Sequence, residues 1–336
     1  MRLVRTISFL IFLSLPVASA VRADVLVVLN KSDHEAALVD PATLEVIAKL
    51  PTGMGPHEVA ISPDGALAYV TNYGGWAMLR EGEEPKREAG KSLTVLDLKA
   101  RSVKATWDLG ESGLPHGIAA SRDGKKLWVT AEGAHKVLEI DAATGAIDRT
   151  FVIRQQVSHM LVPTPDDRKL YVANIASGNV SIIDRASGKV RSVTTGAGSE
   201  GIDVSPDGRE VWVSNRAADT ISVIETATDT VVATFPSGGK FPIRVRFAPD
   251  GSQVLVSNAN SNSVSVFEAS SRKLLGTIEV GALPVGIALS PDGSRAFVAC
   301  SGADRVEVVD LTARKVVKSF STGKEPDGMA WVRRRD

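Results

Sequence analysis

Three histidines recur at one position of a repeated segment. The copies GPHEVAIS, LPHGIAAS and VSHMLVPT carry His57, His116 and His159 two residues before a small or branched apolar residue. Further copies, GSEGIDVS, FPIRVRFA, LPVGIALS and EPDGMAWV, put Glu200, Ile243, Val285 and Asp327 at the same position. Three imidazoles with a carboxylate form a common donor set for a divalent transition metal such as Zn, Cu, Fe or Ni. The metal set read from the sequence is His57, His116, His159 and Glu200. The same residues could equally line a polar pocket for a small ligand, with Asp327 completing the ring.

Charged neighbours extend this candidate site. Arg244 follows the ring position in the fifth copy, and Glu58 is its counterpart in the first, so Arg244 is a candidate for holding an anionic oxygen. Arg246 and Asp203 match each other in adjacent copies and suggest an ion pair, since unpaired buried charge is costly. The two remaining histidines, His34 and His135, fall in matching turns where other copies have Asp219, Asn262 and Asp304. They are candidate rim residues, together with Trp76 of an inserted loop.

The elements that must position these groups are legible as an internal repeat. Turn tetrads SPDG, SRDG, TPDD, SPDG, APDG and SPDG begin at 62, 121, 164, 205, 248 and 290, a period of about 42 residues with one longer first step. After each comes an apolar run (ALAYVTN, KLWVTAE, KLYVANI, EVWVSNR, QVLVSNA, RAFVACS), then an alternating run such as NVSIID, a turn and a further run. Period-two alternation between turn residues reads as antiparallel β. Four strands per repeat predict the blade of a propeller. Six repeats span about Gly55 to Gly323; the N-terminal piece supplies three strands and EPDGMAWV the missing first strand of a seventh. The fold class expected is therefore all-β, one seven-bladed β-propeller over 24–336, its ring closed by the two chain ends.

With LAYVTN, KLYVAN and EVWVSN after SPDG-type turns, the repeat resembles the YVTN-repeat β-propeller family of secreted bacterial proteins over about Asp24 to Val332. The resemblance implies a seven-bladed propeller, more distantly similar to lactonase-like and cytochrome d1-like propellers. It implies little about activity, because propellers host many functions.

In that frame the loop between strands two and three shares a face with the start of strand one. The insertion, 73–90 in blade one, lies on this face and reads as a lid or a solvated loop. The asparagines closing strand two, Asn30, Asn72, Asn174, Asn215 and Asn258, read as turn residues. Trp107, Trp128, Trp212 and Trp331 fall in strand runs and are expected in the core.

The first residues stand apart. MRLVR, the apolar run ISFLIFLSL and the small residues of PVASA follow the order of a secretory signal peptide over 1–23, with cleavage after Ala20 or Ala23. The run is too short to span a bilayer, so the mature chain is expected without a transmembrane segment, in the periplasm or outside the cell. A single cysteine, Cys300, allows no intrachain disulfide. Equal counts of 39 basic and 39 acidic residues give no pull toward nucleic acid. P-loop, G-x-S-x-G, HExxH and C-x-x-C-H patterns are missing from the sequence. Three readings stay open: a binding or accessory propeller, monomeric, holding a small ligand or metal or docking a protein partner; a lactonase-like or lyase-like enzyme using the same site; and a structural cell-surface module.

Overall fold

Each repeat folds into four antiparallel strands whose burial falls from the second strand to the fourth. In blade three, KLYVAN is buried along almost its whole length, while VRSVT is mostly exposed. The middle strands are covered on both faces by neighbouring blades, so they read as continuous apolar runs; the outer edge meets water and alternates. A computed structural model describes residues 24–75 and 88–333. The signal-peptide segment 1–23, Trp76 and the rest of the insertion up to 87 lie outside the described residues.

Strands are numbered β1 to β28 along the chain and form seven four-stranded sheets. Six sheets are consecutive in sequence. The seventh joins β28 (Pro326–Val332) to β1 (Val25–Asn30), β2 (Glu35–Val39) and β3 (Val46–Pro51). Its closing ladder pairs Val25 with Val332, Leu26 with Trp331, Val27 with Ala330 and Val28 with Met329. The ring closes as the repeat predicted, and it leaves no open end between the first blade and the last.

The first strands are β4 (Pro56–Ile61), β8 (Pro115–Ala120), β12 (Ser158–Pro163), β16 (Ser199–Val204), β20 (Pro242–Phe247), β24 (Pro284–Leu289) and β28. Each touches the first strands of both neighbouring blades, so together they line the axis. Apolar clusters fill the wedges between sheets, with Trp128, Trp212 and Phe297 fully buried; Trp107 and Trp331 pack at cluster edges. The SPDG-type turns lie at the end of strand one away from the ring residues. In the first, the Ser62 hydroxyl donates to Asp64 Oδ1 at 2.5 Å and accepts from the Leu67 N–H at 2.9 Å.

The strand-two asparagines are not turn residues. All five are at most 1% exposed, and Asn258 has φ −110°, an extended conformation. Their amides bridge to strand three: Asn174 Nδ2 donates to Ser181 Oγ, Asn215 Nδ2 to Ser222 Oγ, and Asn258 Nδ2 to Ser265 Oγ, at 2.8–2.9 Å. Strand two is buried to its end, so a polar side chain there must be satisfied inside the blade.

Candidate functional site

Every first strand begins with a β-bulge. Pro56 pairs with Asn72 and Val59 with Val70, so His57 and Glu58 together face the single residue Thr71. The same shift follows Pro115, Ser158, Ser199, Pro242, Pro284 and Pro326. A bulge re-aims side chains out of the pleat and puts two consecutive residues where one would stand. The ring residue is thus the first bulge residue in every blade.

The second bulge residue alternates in kind: Glu58, Gly117, Met160, Gly201, Arg244, Gly286 and Gly328. Glycine is required where the next blade's backbone passes close. A Cβ at Gly286 would lie 1.9 Å from the Asp327 carbonyl oxygen, and one at Gly328 would lie 2.2 Å from that of His57. Blades one, three and five instead send long side chains across the axis. Arg244 Nη2 donates to Glu58 Oε1 at 2.5 Å, and Arg244 Nη1 lies 3.4 Å from Met160 Sδ. Arg244 is also 3.8 Å from Asp327 Oδ1. All four residues are buried. Glu58, Met160 and Arg244 form a floor beneath the ring residues.

Above that floor the three histidine rings stack into one cluster. His116 and His159 have centroids 3.4 Å apart at 28°, and His57 meets His116 edge-on at 4.2 Å. Tyr73 lies 5.3 Å from His57 and 5.4 Å from His116. His159 bridges two carboxylates: Nδ1 donates to Glu132 Oε1 at 2.5 Å, and Nε2 is 3.4 Å from Glu200 Oε1. Tyr73 donates its hydroxyl to Glu132 Oε2 at 2.7 Å, and Arg216 donates to Glu200 Oε2 at 2.8 Å. Lys31 pairs with Asp327 Oδ2 at 2.9 Å; His57 Nδ1 lies 3.6 Å from the same oxygen, beyond hydrogen-bonding reach.

The electrostatics divide the histidines. Burial is the main cause that pushes His57 down to about 3, aided by Lys31, His159 and Arg244 against the pull of Asp327. Burial likewise drives His116 well below the usual imidazole range, with the cationic neighbours adding to it. Burial also opposes charge on His159, but Glu132 and Glu200 outweigh it and raise the group to about 9. At neutral pH two imidazoles are neutral and one is an imidazolium. Burial works against the Asp327 carboxylate, yet Lys31, His57 and Arg244 hold it below its usual range. Burial works against the Arg244 cation too, and Glu58 and Asp327 more than offset it.

His116 is 1% exposed, and among the described residues neither of its ring nitrogens has a hydrogen-bond partner. One donor atom each from His116, Glu132 and His159 can be chosen so that all lie within 4.8 Å of one another. Within this set His116 is the neutral, unpartnered imidazole, and it stands beside the paired His159 and Glu132.

Residues 156–289 match the model of the YNCE-like β-propeller family. The chain is a seven-bladed β-propeller, similar over this stretch to that family. A curated relative, the seven-bladed β-propeller protein Rv1057 of Mycobacterium tuberculosis, is 28% identical over 141 residues, covering 42% of this chain and 32% of its own length. The matched stretch thus spans about a third of that relative. Among solved structures, Kuenenia stuttgartiensis hydrazine synthase superposes with a TM-score of 0.73 at 21% identity, covering 85% of this chain and 92% of that one. A protein of unknown function from Desulfotomaculum acetoxidans gives 0.78 at 16% identity, covering 93% and 99%. The dihydro-heme d1 dehydrogenase NirN gives 0.65 at 19% identity, covering 92% of this chain and 66% of that one. These likenesses show the fold.

The structure brings His57, His116, His159, Glu200 and Asp327 to one channel mouth. Glu58 and Arg244 belong to the floor, where they pair with each other, and Arg244 also lies 3.8 Å from Asp327. His34 and His135 serve turns. His34, Asp219, Asn262 and Asp304 all have φ of 49–55° and accept the N–H of Gly55, Phe241, Leu283 and Glu325, each the left-handed residue that opens the next blade. His135 has the same φ of 52°, and its Nδ1 meets the Gln155 carbonyl at 3.0 Å. Arg246 does reach Asp203, at 3.9 Å, although Asp203 is held more closely by the Phe247 N–H at 2.9 Å.

Sequence reasoning missed Lys31, Glu132 and Arg216, and treated Tyr73 only as the start of an insertion. All four occupy one register, the residue after strand two's last position paired to strand one: LNK, TNY, TAE and SNR. The repeat alignment that singled out the ring position contained this second ring as well.

Proposed function

We propose that this chain is an exported binding protein, a monomeric β-propeller that holds one small ligand in the cup at its channel mouth. The leader pattern of 1–23 supports export. The observation that carries the binding reading is His116, nearly inaccessible to water and with both ring nitrogens unpartnered among the described residues. Leaving a buried polar group unsatisfied costs about 1–3 kcal/mol, and folded proteins keep few such groups without a use. Around it stand a polar arc on blades seven to four and an apolar arc, Ile243 and Val285, on blades five and six. The floor of Glu58, Met160 and Arg244 makes the mouth a cup with a bottom.

Hydrolysis by the same site is less well supported. Among the described residues, of the three histidines only His159 has a carboxylate within hydrogen-bonding distance to orient it, and that pairing keeps it protonated. Native mass spectrometry and elemental analysis of protein isolated from the periplasm or culture medium test the binding reading. A stoichiometric bound species, organic or inorganic, is expected in the wild type and in His135→Ala, and is lost in His116→Ala. Protein that carries nothing from its source, and that neither metal ions nor a small-molecule library stabilises, would overturn it.

A further inference from the structure

We propose that the ligand is a single first-row divalent transition ion held by His116, His159 and Glu132, with His57 as the fourth donor. The inference rests on the small-ligand reading above and names its chemistry. Three observations carry it. First, the donor atoms of His116, Glu132 and His159 converge within 4.8 Å. A four-coordinate ion with bonds of about 2.1 Å sets its donors about 3.4 Å apart, so shifts of roughly an ångström bring these three donors to bonding distance, and His57, edge-on to His116 at 4.2 Å, is the adjacent imidazole. Second, among the described residues neither nitrogen of His116 has a hydrogen-bond partner, and His57 Nδ1 is buried and unpartnered beside it. Third, Glu132 is oriented before any ion arrives: Tyr73 donates to Oε2 at 2.7 Å and leaves Oε1 on His159 Nδ1, whose proton the ion displaces to solvent as it binds. A ligand carboxylate fixed by a neighbouring hydroxyl is how metal sites are commonly built.

The carboxylate in this set is Glu132, not Glu200. Glu200 lies farther from His159, at 3.4 Å, and its other oxygen is taken by Arg216. A guanidinium on a carboxylate reduces its value as a donor to a cation. Asp327 is excluded for the same reason, because Lys31 and Arg244 neutralise it. The donors are imidazole and carboxylate without thiolate; Cys300 is buried in another blade, and the Met160 sulfur faces Arg244. Such a set suits Zn2+, Ni2+, Cu2+ or Co2+ rather than Cu+.

The experiment is titration of the full-length secreted protein, stripped with chelator, with Zn2+, Cu2+ and Co2+ by calorimetry, and by visible absorption for Co2+. The result expected is one equivalent bound by wild type, at least tenfold weaker binding in Glu132→Gln, and loss of the Co2+ spectrum in His116→Ala. Glu200→Gln should stay within about threefold of wild type. Far-UV circular dichroism and thermal unfolding of each stripped variant establish that it is folded; His116→Gln serves if His116→Ala is not. Binding of no ion by wild type overturns the inference. So does an ion retained unchanged by folded His116 and Glu132 variants, or an ion lost in Glu200→Gln with Glu132→Gln unaffected. An organic ligand found in the cup without a metal overturns this inference and leaves the binding reading standing.

Discussion

Removing Arg244 should cost the propeller more than removing any other charge at the axis. Arg244 is 6% exposed and spans the channel from blade five to Glu58 of blade one, at 2.5 Å. In Arg244→Met, Glu58, itself 5% exposed, loses its ion-pair partner. Breaking a buried pair from one side costs about 3–5 kcal/mol, because the surviving charge is left without compensation. Asp327 is spared, since it keeps Lys31 at 2.9 Å. Glu58→Gln should cost less, about 1–3 kcal/mol, because Arg244 retains Asp327 at 3.8 Å. The double variant Glu58→Met with Arg244→Met should return to within about 1 kcal/mol of wild type, since apolar replacement of a buried pair is often neutral. Equilibrium urea unfolding of all four proteins gives the cycle, and the single Arg244 variant should also melt roughly 6–10 °C lower. The reasoning is refuted if Arg244→Met costs under about 1 kcal/mol, or if the double variant is as unstable as the single.

Three further outcomes follow from the same geometry. His159 is raised to about 9 from 6.5, so its paired, protonated form contributes stability that is complete below pH 6.5 and is lost as pH climbs through 9. Chelator-treated protein should therefore lose on the order of 3 kcal/mol between those limits; an unfolding midpoint that is flat across the range contradicts this. Gly286→Ala, whose Cβ would meet the Asp327 carbonyl at 1.9 Å, should destabilise by about 1–3 kcal/mol, whereas Gly113→Ala, in ordinary contact at 3.6 Å, should change little in the same denaturant assay. Deleting residues 326–336 removes β28 and exposes the edge of β1, and should abolish cooperative unfolding. A truncated protein that keeps the wild-type melting temperature would contradict the closure.

The fold was readable because a propeller writes each blade into the sequence again. The turn tetrads fixed the phase, and phase fixed which residue of PHE, PHG and SHM shares a ring. What escaped was whatever depends on distance between blades. Arg244 and Glu58 are 186 residues apart, and only the curvature of the ring brings them together. Their pairing converts two candidate ligand contacts into a floor. Glu132 and Lys31 escaped for a different reason. They follow a buried strand end, where a residue reads as turn until the neighbouring blade stands beside it. His34 and His135 were readable as a matched pair but not as clamps, because a turn histidine can face a ligand or its own backbone, and sequence does not distinguish them.

The closing ladder between β1 and β28 has a consequence for the order in which the molecule comes into being. A chain that emerges from its N-terminus presents Val25–Asn30 first and Pro326–Val332 last, so three strands wait for a partner made about 300 residues later. Blades one to six can form as they appear; the seventh cannot. Asp327, which carries Lys31 and neighbours His57, arrives on that final strand. Completion of the barrel and completion of the cup are therefore one event. A molecule stalled short of its end would display an open β-edge and an unfinished site together, and quality-control proteases could recognise both.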